Sequence, residues 1–105
     1  MKIKTVKNKI SLEGELIIEH AEEVKELLLA SMDKIGDAKS VTLDLGKVKE
    51  IDSSGFQLLL SFIQTLQNRE IDFKIKKVRE EVFNLVELAG LNKFFKIHAA
   101  DVVND

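Results

Sequence analysis

Four short segments of the chain alternate apolar and polar residues, which is the pattern of β-strands with one face in the core and the other in water. They are residues 2–6, 10–13, 41–45 and 71–76. A strand covered on both faces would show a continuous apolar run instead. The alternation therefore predicts a sheet with helices on one face only, the other face being wet or offered to a partner.

Three helical patterns are interleaved with these strands. The predicted apolar stripes are Ala21, Val24, Leu28, Met32 and Ile35 in the first helix, Phe56, Leu59, Leu60, Ile63 and Leu66 in the second, and Val82, Leu85, Val86 and Ala89 in the third. The second helix begins near Ser53 and ends in a polar segment, residues 67–69. Gly90 is a natural cap for the third.

The spacing of these elements predicts the topology. Only residues 7–9 separate the first two strands, which is short enough for an antiparallel hairpin. Strands separated by helices are parallel neighbours through crossover connections. We therefore expect an α/β fold with a small mixed β-sheet, an N-terminal hairpin and helices packed on one face, with residues 95–97 adding a last short strand.

Composition narrows the class of protein. The 105 residues are expected to form one domain, and the net charge of −2 argues against a nucleic-acid binder. The basic cluster of Lys74, Lys76, Lys77 and Arg79 is interpreted as a solvated sheet face. No apolar run approaches the roughly 18 to 20 residues that cross a bilayer, and the alternating N-terminus is not a secretory signal. With no cysteine in the chain, a cytoplasmic location is the expectation.

Catalytic chemistry finds no support in the sequence. It contains no nucleotide-binding loop, G-x-G-x-x-G motif or G-x-S-x-G nucleophile elbow. His20 and His98 are interpreted as surface or cap residues, and they have no acidic partners at metal-ligand spacing. We therefore expect no enzyme activity, no metal site and no cofactor.

The motif Asp52-Ser53-Ser54-Gly55 stands where a strand ends and a helix begins. Asp52 or Ser53 is expected to cap the helix, and the positive end of the helix dipole would also favour a phosphate there. Gly55 is a poor helix former, at a cost of about 0.5 to 1 kcal/mol relative to alanine. Open access to the serines is one reason for it. A plain cap and a phosphorylatable switch both remain open.

Leu58 is predicted to point away from the apolar stripe of the second helix. At roughly 100° per residue it lies with Gln57, Ser61 and Thr65. An apolar side chain one turn from the serines suits a partner-binding surface, although isolated exposed leucines are also common.

The run from Val41 to Phe56, which contains this motif, resembles the central signature of STAS domains, the family of bacterial anti-sigma factor antagonists. On either side, residues 12–16 look like the second strand of that family and residues 87–95 like its last helix and turn. The resemblance covers nearly the whole chain, and it implies a small sheet with helices on one face.

The resemblance also implies a switch. In that family the hydroxyl residue after the motif aspartate, here Ser53, is phosphorylated by a partner that is both an anti-sigma factor and a serine kinase. The unphosphorylated antagonist binds the kinase, and a serine phosphatase restores it after phosphorylation. The remaining partner-binding residues would be Asp52, Ser54, Gly55, Gln57, Leu58 and Ser61. No direct nucleic-acid contact and no membrane insertion are expected, and a weak homodimer through the wet sheet face stays open.

Two segments favour an alternative. Residues 16–19 and 57–60 look closer to STAS proteins linked to chemotaxis clusters or to lipid transport, which often carry threonine or alanine around the motif. A non-phosphorylated adaptor subunit of such a complex is therefore the second hypothesis.

Overall fold

The computed structural model describes residues 1–103, which form a five-stranded sheet and four α-helices. The elements are β1 (Lys2–Val6), β2 (Lys9–Leu16), α1 (Ala21–Ile35), β3 (Ser40–Ile51), α2 (Ser53–Asn68), β4 (Asp72–Arg79), α3 (Glu80–Leu88), α4 (Asn92–Phe95) and β5 (Val102–Val103). Single 3₁₀ turns precede α1 at Ile18–His20 and β5 at Ala99–Asp101.

The sheet follows the order of the chain, β1-β2-β3-β4-β5. β1 and β2 form the predicted antiparallel hairpin, and every later pair is parallel. Each parallel connection passes through a helix and moves one strand in the same direction. Since such crossovers are right-handed, they place α1, α2 and α3 on one face. The predicted α/β fold is confirmed.

The core lies between that face and the helices. In β3, for example, Val41, Leu43 and Leu45 are buried, whereas Thr42 and Asp44 between them are only half-buried on the other face. The predicted stripe of α1 is buried from Val24 to Ile35. Ala21, the first residue of that predicted stripe, is only half-buried because it begins the helix and lines a surface depression.

The stripe of α2 differs from the prediction. The buried side chains after Gly55 are Leu59, Phe62, Ile63 and Leu66, while Phe56 and Leu60 are half-buried. α2 contacts α1 as well as the sheet, so its buried arc is turned towards Phe62. The prediction assumed that α2 packs only against the sheet, so it missed the residues that face α1.

The C-terminal end of α3 has the expected glycine. Gly90 adopts a φ of +70°, its N–H donates to the Glu87 carbonyl at 2.9 Å, and the Leu91 N–H donates to the Val86 carbonyl at 3.1 Å. These two bonds form a Schellman cap.

The expected last strand at residues 95–97 is wrong. Phe95 ends α4, and Lys96 has a left-handed φ of 58°, which lies outside the β region. Phe95 and Ile97 are both buried, so their alternation with Lys96 imitates a strand. The last strand is instead β5, which pairs with the end of β4.

Candidate functional site at the start of helix α2

Asp52 is the N-cap of α2. Its Oδ1 accepts from the Gly55 N–H at 3.0 Å, and its Oδ2 accepts from the Ile18 N–H at 2.9 Å. These hydrogen bonds, that from Gly55 first and that from Ile18 second, hold the pKa of the carboxyl below its ordinary value. Of the two predicted caps, Asp52 is therefore the one used. It also ties the segment after β2 to the helix.

Packing inside the domain explains why a glycine stands at position 55. The glycine is buried, and a Cβ built there would overlap the Leu16 carbonyl group, whose carbon would lie 2.6 Å away. The close approach that Gly55 permits is thus made by the end of β2. The Leu16 carbonyl group fills the space beside the Gly55 Cα. Gly55 is buried, so its role is to let the helix pack close to β2.

The two serines differ in exposure. Ser53 is exposed and Ser54 is half-buried. Within residues 1–103, neither hydroxyl takes part in a hydrogen bond with another group of the chain. The exposed Ser53 Oγ is therefore accessible to an incoming group, with no internal bond to break.

A shallow depression brings most of the predicted residues together. It is lined by Ser53, Ser54, Gln57, Leu58, Ser61 and, from α1, Ala21. Asp52 and Gly55 do not line it. Five of the seven residues predicted for phosphorylation or partner binding thus share one surface, and the other two fix the start of the helix that carries it.

Leu58 lies at the junction of this depression with an apolar groove between α1 and α2. It is half-buried and packs against the core, so it faces α1 more than open solvent. The groove is lined by Lys25, Leu28, Leu29, Met32, Leu58, Ser61, Phe62 and Thr65. We name the depression and groove together the α1–α2 groove.

The sequence interpretation missed the α1 side of this groove. Leu29 is 59% exposed although it is a large apolar residue. It follows Leu28 directly and falls outside the predicted stripe of α1. Its position outside the buried stripe could have indicated an exposed apolar surface on α1, in the same way that the position of Leu58 did on α2.

The rim beside Asp52 is acidic. Glu15 of β2 and Glu50 of β3 are directly opposite in the parallel register. The pKa of Glu50 is raised, first by its hydrogen bond and charge interaction with Glu15, and further by the charges of Glu19 and Asp52. His20 lies at the same rim, with its Nε2 3.8 Å from Glu15 Oε1. The sequence interpretation did not bring these carboxylates together, because their meeting depends on the strand register.

The described residues contain no cluster of three or more histidine, cysteine or acidic residues arranged to hold a metal ion. None of their helices is long and apolar enough to span a bilayer.

Known proteins resemble this chain in family and in fold. The family profile described as STAS domain matches residues 2–102. The unphosphorylated form of the anti-sigma factor antagonist SpoIIAA superimposes with a TM-score of 0.68 at 17% identity, covering 99% of this chain and 86% of that one. No curated protein sequence matches the chain.

Two further structures are similar in fold. The phosphorylated form of SpoIIAA, described as a Bacillus cell fate determinant, has a TM-score of 0.60 at 14% identity and covers 99% of this chain and 89% of that one. A crystal structure of Mglu has a TM-score of 0.55 at 22% identity, covering 72% of this chain but only 19% of that one. At these identities the likeness concerns the fold.

Proposed function

The chain belongs to the STAS domain family, and we propose that it is an anti-sigma factor antagonist switched by phosphorylation of Ser53. In this proposal it acts in the cytoplasm as a non-enzymatic regulator of transcription. Unphosphorylated, it binds an anti-sigma factor that is also a serine kinase. Phosphorylated, it is released until a serine phosphatase acts.

The observation that carries the proposal is the position of Ser53. It is exposed at the first turn of α2, and it lies at one end of the α1–α2 groove. The kinase would transfer a phosphoryl group from ATP to Ser53 Oγ, which loses its proton as ADP leaves. The phosphatase would restore the hydroxyl by hydrolysis. Neither step requires a change in the fold.

The neighbours of Ser53 indicate how a phosphate would act. Asp52 already accepts hydrogen bonds from the N–H groups of Gly55 and Ile18, so those donors are taken. The phosphate brings about −1.5 to −2 charges next to the carboxylate of the adjoining residue, Asp52. We infer that it projects into the depression at Gln57 and Leu58, where it blocks the partner.

The groove supplies the surface for the partner. Leu29, Leu58 and Phe62 offer apolar area beside the polar rim of Ser54 and Ser61. An apolar centre with a polar edge is the usual anatomy of a protein interface. A hydrophobic side chain of the kinase in the groove would therefore sense the charge state of Ser53 one turn away.

The experiment compares Ser53→Ala, Ser53→Asp and wild-type protein, each tagged and recovered from its own cells. We expect wild-type and Ser53→Ala protein to retain one serine kinase, identified by mass spectrometry, and Ser53→Asp protein to lose it. Intact mass should show a population heavier by one phosphate in the wild type and none in Ser53→Ala.

Ser54→Ala is the matched control, because it removes the neighbouring hydroxyl and leaves Ser53 in place. We expect it to keep both the phosphate and the kinase. Phosphate mapped to Ser54, or equal kinase recovery with Ser53→Ala and Ser53→Asp, would contradict the proposal.

A second candidate is a non-switching adaptor subunit of a chemotaxis-linked or lipid-transport complex. One observation favours it: Ile18 is 62% exposed beside the Asp52 carboxylate, which its N–H contacts. An apolar side chain there suits a permanent contact that ignores the charge on Ser53. In that case the same tagged variants would all retain one partner, and Ile18→Ser would lose it.

A further inference from the structure

The open face of the sheet is strongly basic. Its two adjoining depressions share Lys9, and together they are lined by seven lysines: Lys2, Lys4, Lys9, Lys47, Lys74, Lys76 and Lys77. Two carboxylates, Glu13 and Asp44, line the same area. We name this surface the lysine face.

Four strands contribute to the lysine face, so only the tertiary structure assembles it. β1 and β2 pair so that Lys2 is opposite Glu13, and Lys47 of β3 is opposite Glu13 on the other side. In β4, a register shift after Ile75 leaves Lys76 and Lys77 both exposed. Three exposed lysines thus come from a strand segment of only four residues.

Most of this positive charge is not neutralised inside the protein. Lys9 forms an ion pair with Asp44, with its Nζ 3.8 Å from Asp44 Oδ2. Within residues 1–103, Lys4, Lys74 and Lys76 take part in no ion pair. Since the whole chain carries a net charge of −2, the excess negative charge lies on the rest of the surface. The molecule is strongly polarised, and its field orients the lysine face towards an anionic partner.

The chemistry of the face selects among anionic partners. Single-stranded nucleic acid is bound through aromatic side chains on which bases stack, and no aromatic side chain lines this face within the described residues. Duplex recognition reads base edges through an element that enters a groove. Within residues 1–103 this face is lined by strand residues, and no helix projects from it. The negative surface potential of anionic lipids instead attracts each lysine near a bilayer by about 1 kcal/mol, and this attraction requires neither a projecting element nor stacked aromatic rings.

We propose that the lysine face adsorbs the protein to a bilayer surface rich in anionic phospholipid. This contact is peripheral, with no segment inserted. The helices lie on the opposite face of the sheet, so the α1–α2 groove stays open to a partner during adsorption. The inference does not rest on the phosphorylation of Ser53.

Flotation with vesicles tests the proposal. The probes are vesicles of phosphatidylcholine alone and of phosphatidylcholine with about one-third phosphatidylserine, a mixture chosen to give a negative surface potential. We expect wild-type protein to float only with the anionic vesicles. Raising the ionic strength from about 0.01 M to about 1 M shortens the Debye length from about 30 to about 3 Å and should abolish flotation.

The variant Lys4→Gln/Lys74→Gln/Lys76→Gln removes three charges from the face. At roughly a factor of five in affinity per lysine near the membrane, its partition coefficient should fall on the order of 100-fold. Lys25→Gln/Lys34→Gln/Lys93→Gln makes the same change in net charge on the helical side. The partition coefficient of this matched control should fall much less.

Three results would overturn the proposal. One is equal flotation with neutral and anionic vesicles, or no flotation with either. Another is equal loss in the two triple variants. The third is a better occupant at the same salt concentration, either a mixed-sequence oligonucleotide bound more tightly than the anionic vesicles or a salt-sensitive dimer in sedimentation that the face variant abolishes.

Discussion

The two faces of the sheet are built from the same strands and behave in opposite ways. On one face Ile10, Leu43 and Ile75, from three neighbouring strands, are at most 1% exposed. The residues that flank each of them along its own strand point to the other face. They are lysine, serine, threonine and aspartate, and all are in contact with solvent. One face is thus occupied by the helices, and the other is free to carry charge.

This difference separates stability from recognition. Burial of apolar side chains stabilises the domain by roughly 25 cal/mol for each Å² removed from water, and a close-packed core tolerates few changes of volume. Exposed side chains contribute little individually to folding. The open face and the groove rim can therefore carry residues suited to a membrane or a partner, with little loss of stability.

The largest expected effect is on the covered face. Leu43→Ala should lower the free energy of unfolding by about 2 to 5 kcal/mol, because it removes buried methyl groups and leaves a cavity. Thr42→Ala, one residue away on the open face, should lower it by no more than about 1 kcal/mol, which is the span of intrinsic strand preference. Urea unfolding followed by circular dichroism measures both. Similar losses in the two variants would refute the contrast between the faces.

The second effect concerns the contact between Gly55 at the start of helix α2 and Leu16 at the end of β2. Gly55→Ala should lower the free energy of unfolding by about 1 to 3 kcal/mol, since the new methyl group overlaps the Leu16 carbonyl. Helix propensity alone predicts the opposite sign, a gain of about 0.5 to 1 kcal/mol. Ser61→Ala, at an exposed position of the same helix, is the control. A Gly55→Ala variant more stable than wild type would rule out the packing explanation.

The smallest effect is on the open face near Asp52, where like charges meet. Glu50→Gln should raise the Tm slightly at neutral pH by removing repulsion from Glu15, Glu19 and Asp52. Because these neighbours raise the pKa of Glu50 in the folded state, its ionisation costs stability above that pKa. The cost disappears below the pKa of the unfolded chain, so the difference from wild type should vanish as the pH falls.

Glu13→Gln is the matched control for this prediction. It makes the same chemical change on the same face, but Glu13 is opposite Lys2 and Lys47. Its Tm should fall slightly at neutral pH. A rise in both variants would mean that the charge of the neighbours does not decide the sign.

Much of the fold was predictable because its signals are local. Alternation identified β1 to β4, and the single covered face followed from it. Strand ends were less predictable: β3 continues through Gly46 to Ile51, well beyond the predicted residue 45. The segment after α3 was misread because Phe95 and Ile97 are buried from a helix end and a turn, with the Phe95 ring stacked on Phe56 at 5.4 Å.

The candidate site was predictable only in part. Ser53, Gln57, Leu58 and Ser61 share one helix, so their common surface follows from helical geometry. The contribution of Leu29 does not, because it comes from a different helix. The resemblance to a family placed the switch at Ser53, and that assignment stays a prediction.

The sequence by itself determined which residues of strands β1 to β4 face the core, where α2 begins and which family the chain resembles, because periodicity and motifs are read from neighbours along the chain. Only the tertiary structure decided that Gly55 makes room for Leu16, that Asp52 also binds Ile18, and that Glu15 meets Glu50. It also gathered lysines from four strands onto one face. These contacts join segments that lie far apart in the sequence, and a pattern read from neighbouring residues does not show which distant segments meet.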